Sequence, residues 1–157
     1  ERPLIAIIGG AKVSTKLGVL EALAKKVDAL VISGGMASTF LSARGVDVGR
    51  SLCEYDQIAT ASAIEGAIAA RDGHVILPSD VIVAKELERD SPSETVLTEA
   101  VPPDSMILDI GPSSIADIKT QIRQSRTLVW NGPLGAFEFP PFDRGTIAIA
   151  TSAAEQT

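Results

Sequence analysis

The stretch Leu4-Ile5-Ala6-Ile7-Ile8-Gly9-Gly10-Ala11-Lys12-Val13-Ser14-Thr15-Lys16 restricts what this chain can fold into more than any other. Leu4 to Ile8 is an unbroken apolar run rich in isoleucine, without alternation of polar and apolar residues. Such a run suits a strand covered on both faces, as in a parallel sheet flanked by helices. Gly9 and Gly10 lack Cβ atoms, so the backbone there bends sharply and comes close to whatever lies beside it. The helix that follows points its free N–H groups and positive dipole end back at the turn, which makes the turn a place for an anion. Lys12 in the loop and Lys16 about one helical turn later bring two ammonium groups to it, and phosphate is the natural guest. The same residues also fit a tight βα connection followed by two solvated lysines. The spacing is neither the Walker loop nor the Gly-x-Gly-x-x-Gly dinucleotide fingerprint.

The rest of the chain repeats this scheme. Leu17, Leu20, Leu23, Ala24 and Val27 recur at helical spacing, and Ala29 to Ile32 is a second buried strand ending in Ser33-Gly34-Gly35-Met36. A βαβ unit is thereby closed, with two glycine turns at strand C-termini, the edge where open parallel sheets collect ligands. A helix follows from Met36 to Ala43, then a turn-rich link from Gly45 to Leu52 and a longer helix from Glu54 to Arg71, stopped by Asp72-Gly73. His74 to Pro78 and Asp80 to Ala84 read as strands. Lys85 to Asp104 is a polar, Pro-broken surface excursion with a short strand near Thr95 to Thr98. Met106 to Ile110 is another buried strand, and Ser114-Ile115-Ala116-Asp117 looks like a capping box opening a helix. Thr127 to Trp130 is the last strand. It runs into Asn131-Gly132-Pro133-Leu134-Gly135-Ala136-Phe137-Glu138, which places an amide and a carboxylate at the same sheet edge as the lysines. Those groups suit phosphate oxygens and ribose hydroxyls; packing by Phe137, Phe139, Phe142 and Pro140-Pro141 is the purely structural alternative for the loop.

Composition narrows the function classes. A chain of 157 residues, 45% of them hydrophobic, is sized for one domain with a sizeable core. A net charge of -6 argues against a nucleic-acid or anionic-membrane surface, although Lys12 and Lys16 form a local basic pair. The lone Cys53 cannot form an internal disulfide, fits a reducing compartment and reads as a small buried hydrophobe. His74, the only histidine, has no neighbours resembling a triad or metal set and receives no role. No apolar run reaches membrane-spanning length and no signal peptide opens the chain, so a cytoplasmic location is expected. Both ends look cut: the chain opens without methionine and closes within an apparent helix.

Five segments in register, Gly9 to Lys16, Gly34-Gly35-Met36, Leu77-Pro78-Ser79-Asp80, Leu108-Asp109-Ile110-Gly111-Pro112 and Trp130 to Glu138, resemble the C-terminal, nucleotide-binding domain of the phosphoglycerate kinase family over essentially the whole chain. The resemblance implies an α/β fold, an open, mostly parallel Rossmann-like sheet of five or six strands with helices on both faces, truncated at its C-terminal end. It implies one incomplete nucleotide-binding domain over 1–157, with the phosphoglycerate-binding N-terminal domain absent. The implied reaction is reversible phosphoryl transfer in glycolysis from 1,3-bisphosphoglycerate to Mg-ADP, giving 3-phosphoglycerate and Mg-ATP. By carry-over, Lys16 contacts the nucleotide phosphates and the transferred group, with Lys12 close to the same charge. Gly10, Ala11, Gly34, Gly35, Leu52, Leu108 and Pro133 form the adenine and ribose pocket, Asn131 meets the phosphates, and Glu138 holds the ribose hydroxyls. No residue is assigned to a metal, because the family's aspartate for the Mg-nucleotide lies in a Gly-Gly-Gly-Asp turn absent from this sequence. A later Gly-rich phosphate loop is absent too. Ser33 stands where a glycine is frequent, a replacement expected to be harmless.

The resemblance therefore implies that these residues alone are inactive and bind nucleotide weakly or not at all, that the phosphoglycerates bind only the full-length enzyme, and that the piece self-associates or swaps through an exposed apolar edge or face. Two rivals from other classes are a noncatalytic α/β interaction module and an unrelated Rossmann-type oxidoreductase. The missing dinucleotide fingerprint counts against the second.

Overall fold

The computed structural model describes residues 2–156. The apolar run Leu4–Ile8 forms β1, and the glycine turn leads into α1, Val13–Ala24. β2, Ala29–Ile32, lies parallel to β1, with Ile5 opposite Ala29 and Ile8 opposite Ile32. The next elements are α2, Gly35–Ala43, and α3, Ile58–Ala69, followed by β3, His74–Ile76, parallel to β2. β7, Thr127–Asn131, joins the other side of β1, also parallel. The resulting sheet has the order β3-β2-β1-β7.

Two cores explain why β1 and β2 are apolar at every position. Ala6, Ile8, Leu30 and Ile32 face one side, where they meet Val13, Leu20, Phe40, Ile64 and Ile68 from α1, α2 and α3. Ile5, Ile7, Ala29 and Val31 face the other, against Ile118 and Ile122 of α4, Pro112–Gln124, and Ile149 of α5, Arg144–Glu155. Alternate residues of one strand thus feed opposite cores, the arrangement a doubly covered parallel strand requires. The expected α/β sheet with helices on both faces is the one observed.

Its strand count differs. Among the described residues the parallel sheet has four strands, not five or six, and three further strands form a separate sheet. β4, Asp80–Ala84, runs antiparallel both to β5, Ser93–Leu97, and to β6, Met106–Ile110. Only Leu77, Pro78 and Ser79 separate β3 from β4, too few for the crossover that a further parallel strand needs. The buried runs of β4 and β6 record burial on two sides and not the identity of the pairing strand.

Three smaller expectations also shift. The helix expected from Glu54 starts later, after a 3-10 turn at Tyr55–Gln57, and ends before Asp72, which takes a left-handed φ of 64°. Cys53 is half-buried and sits beside Tyr55, so it is not the buried hydrophobe expected. Ser114 does not cap α4, whose N-cap is Gly111 with Pro112 at the first helical position. Its hydroxyl instead bonds the Asp80 carboxylate across the interface with β4, at 2.7 Å.

Candidate functional site

Three strand-to-helix turns meet at the carboxyl edge of the parallel sheet, so closely that their glycines are dictated by neighbouring backbone. A Cβ on Gly9 would lie 1.7 Å from the Pro133 carbonyl oxygen, and one on Gly34, whose φ is 74°, would lie 2.5 Å from that of Gly10. The Gly9 amide donates to the Asn131 carbonyl at 2.8 Å, and the Met36 amide to that of Gly10 at 3.1 Å. Buried Ser33, expected to be a neutral replacement, donates its hydroxyl to the Leu134 carbonyl at 2.6 Å and ties the β2 turn to the loop after β7.

Lys16 emerges at the centre of this edge. Its ammonium donates to the Gly9 carbonyl at 2.9 Å and to Asn131 Oδ1 at 2.5 Å, so the lysine and the amide named from the sequence are in contact. A Cβ at Gly10 or Gly132 would approach the Lys16 side chain to 3.3 and 2.8 Å. Lys12 occupies the N-cap position of α1 with its side chain exposed, and Lys16 rather than Lys12 lies against the turns.

The first turn of α1 is already engaged. Glu54 Oε1 accepts from the Ser14 amide at 3.1 Å and Oε2 from the Ser14 hydroxyl at 2.5 Å. Partial desolvation works to raise the pKa of this carboxyl, but the Ser14 bonds, the Val13 amide and the charge of Lys12 outweigh it and hold the group below the usual range. A carboxylate of the chain itself thus engages the Ser14 and Val13 N–H groups, two of those read from the sequence as free for an anion.

Beside the lysine lies a cavity of about 350 Å³, within the range of small-ligand pockets. Its walls include Gly10, Ala11, Gly34, Gly35, Leu52, Leu108, Pro133 and Glu138 from the expected set, together with Leu41, Val81, Leu87, Phe137 and Phe139. Lys12, Lys16 and Asn131 lie outside that wall, so the expected residues divide into an apolar chamber and a polar rim. Val81 and Leu108 come from the small sheet and Gly34 and Gly35 from the parallel one, so the chamber is the seam between the two.

Two buried aspartates hold that seam, and neither was singled out from the sequence. Asp80 accepts from the Ser113 amide at 3.0 Å and the Ser114 amide at 2.8 Å, supplying from β4 the cap that α4 lacks locally. Asp109 on β6 accepts from the Ile110 amide at 2.8 Å and the Gly145 amide at 3.0 Å, the second lying in the first turn of α5. Asp109 also faces the cavity, and burial pushes its pKa up to about 6, despite the Gly145 and Ile110 bonds. Only its place in the Leu108-Asp109-Ile110-Gly111-Pro112 segment hinted at it; the glycines that enclose it, Gly135 and Gly145, are distant in sequence.

Among the described residues no cluster of three His, Cys, Asp or Glu side chains is placed to hold a metal ion, and no helix is long and apolar enough to cross a membrane.

The fold and site together define an α/β protein whose ligand-sized chamber sits at the carboxyl edge of a parallel sheet, beside a lysine that can meet an anion. The phosphoglycerate kinase family model matches residues 1–157. Phosphoglycerate kinase of Methylorubrum populi is 58% identical over 156 residues, 99% of this chain and 39% of the relative. That of Sinorhizobium fredii is 55% identical over 157 residues, 100% of this chain and 39% of the relative. The solved phosphoglycerate kinase of Coxiella burnetii superposes with a TM-score of 0.96 at 42% identity, covering 99% of this chain and 40% of that one. The one from Pyrococcus horikoshii gives 0.82 at 25%, again over 99% of this chain and 40% of the other. The chain belongs to the phosphoglycerate kinase family and spans about 39% of the length of the curated relatives it matches.

Proposed function

We propose that the chain is the C-terminal, nucleotide-binding part of a phosphoglycerate kinase, taking Mg-ADP and Mg-ATP in cytoplasmic glycolysis. The observation that carries this reading is the contact between Lys16 and Asn131 at the rim of an apolar chamber: a charged edge for phosphates beside an apolar slot for a base. The base lies among Gly34, Gly35, Leu52, Leu108 and Pro133, while Gly10 and Ala11 line the passage to the phosphates and Glu138 receives the ribose hydroxyls. Mg²⁺ enters with the nucleotide as part of the substrate.

Phosphoryl transfer needs little covalent help, so the contribution of this chain is position and charge. Lys16 and Asn131 hold the terminal phosphate of ADP toward the incoming phosphoryl group of 1,3-bisphosphoglycerate, and Lys16, supported by Lys12, offsets the negative charge shared between donor and acceptor oxygens. The phosphoglycerate site belongs to the remainder of the full-length enzyme, so this chain alone does not turn over.

Calorimetric titration of Mg-ADP into the folded chain and into Lys16→Ala tests the reading. Saturable binding is expected, weakened roughly 10- to 100-fold in the variant, as loss of a charge-assisted contact worth about 1.5–3 kcal/mol implies. Binding that Lys16→Ala leaves unchanged overturns the site, and no binding at all favours a noncatalytic module. Binding of 3-phosphoglycerate in place of Mg-ADP assigns the chain to the other half of the enzyme.

A further inference from the structure

The segment between α2 and α3 is a strap laid across the seam of the two sheets. At one end it is tied to the small sheet: the Arg50 amide donates to the Ser105 carbonyl at 2.8 Å, and buried Ser51 Oγ accepts from the Ile107 amide at 2.8 Å. At the other end it is tied to the helices of the parallel sheet. The Glu54 amide donates to Thr39 Oγ1 at 3.0 Å, and the Glu54 carboxylate takes both donors of Ser14. Between these pins stands Leu52, 55% exposed, with its inner side on the cavity. A leucine this exposed has little packing of its own to fix it, so its place as a wall depends on the residues that hold the strap.

We propose that Glu54 is a positioning residue: by fastening the strap to the first turn of α1, it sets Leu52 as the outer wall of the chamber for the nucleoside end of the ligand. The inference rests on the nucleotide reading of the site and extends it to a residue that touches neither the cavity nor the lysine rim. Glu54 spends both carboxylate oxygens on Ser14, which lies between Lys12 and Lys16 on the helix that carries the phosphate-facing charge. The wall around the base and the helix behind the phosphates are thereby joined through a single side chain. Because Glu54 also accepts from the Ser14 and Val13 N–H groups at the start of α1, its removal frees anion-attracting donors there instead of removing any.

Adenosine, inorganic pyrophosphate and Mg-ADP are titrated into the wild-type chain, Glu54→Ala, Glu54→Gln and Ser14→Ala, with amide hydrogen exchange of residues 50–54 followed in the absence of ligand. The expected result is about tenfold weaker adenosine and Mg-ADP binding in Glu54→Ala, pyrophosphate binding unchanged or tighter, and faster exchange in the strap. Glu54→Gln restores the wild-type values, since its amide still accepts from the Ser14 amide and pairs with the hydroxyl; Ser14→Ala falls between. Unchanged adenosine affinity in folded Glu54→Ala overturns the inference, as does an equal loss for pyrophosphate, which marks general damage to the fold. A wild-type chain that binds no Mg-ADP defeats the nucleotide reading instead. The strap is still judged then by exchange, and unaltered protection of residues 50–54 in Glu54→Ala and Ser14→Ala overturns the positioning role.

Discussion

At the scale of single residues the site contains one group held against its own preference. Asp109 is buried between Gly135 and Gly145, with two amide donors, while the charges of Asp143 and Arg144 act on it in opposite senses. Its pKa rises from 3.8 to about 6 because the cost of burying the carboxylate exceeds what those amides return. Because the folded value lies above the unfolded one, the associated stability is fully present below about pH 4 and is lost as pH rises through about 6. At about 1.4 kcal/mol per pKa unit, the loss amounts to roughly 3 kcal/mol. Urea unfolding of the wild-type chain and of Asp109→Asn between pH 4 and 7.5 isolates this group, since the other titrations are shared. The wild type is expected to lose roughly 2–3 kcal/mol relative to the variant over that interval, and parallel profiles refute the assignment. The sequence disclosed Lys16 and Asn131 because they stand in motifs with a chemical rationale. It did not disclose Asp109, whose environment is assembled from glycines 26 and 36 positions further along.

At the scale of elements the legible parts were those whose partners are close in sequence. β1, the glycine turn, α1 and β2 form one crossover unit, and a doubly covered strand announces itself by lack of alternation. The capping of α4 was misread because the sequence around Ser114 offers a local motif, whereas the structure draws the cap from Asp80, 34 residues away. The consequence is testable. Asp80 accepts from the Ser113 amide at 3.0 Å and the Ser114 amide at 2.8 Å and is buried, so Asp80→Ala leaves both amides without their acceptor, while the Ser114 hydroxyl keeps the backbone carbonyl of residue 80. A loss of about 2–4 kcal/mol in urea unfolding is expected, larger than the roughly 1 kcal/mol of an exposed N-cap, because buried donors lack water as a substitute. Ser114→Ala keeps both amide bonds to Asp80 but removes the hydroxyl that accepts from the Ser79 and Asp80 amides, and a loss of about 1–2 kcal/mol is expected. Amide exchange at positions 113 and 114 that is faster in Ser114→Ala than in Asp80→Ala contradicts the view that Asp80, and not Ser114, caps the helix.

For the whole molecule, the open question is what lies beside β7. The parallel sheet ends there, on a strand of five residues in which Val129 is 40% exposed. The other edge, β3, has only three residues and offers little to pair with. An edge strand with an exposed β-branched residue is a template for another strand. We therefore expect this chain, by itself, to associate through β7, with two copies placing their edges side by side and burying Val129. Light scattering across a concentration series is expected to show a mass rising above that of the monomer. Val129→Lys places a charge on the edge strand and is expected to return the mass to the monomer without altering the fold, since its side chain faces outward. The substitution lies on the strand that ends in Asn131, so Mg-ADP titration of the same variant separates the two roles of β7: unchanged affinity with restored monomer mass locates association at the edge and ligand binding at the carboxyl end. A wild-type chain that stays strictly monomeric at every concentration shows instead that the exposed edge is protected by its twist and short length.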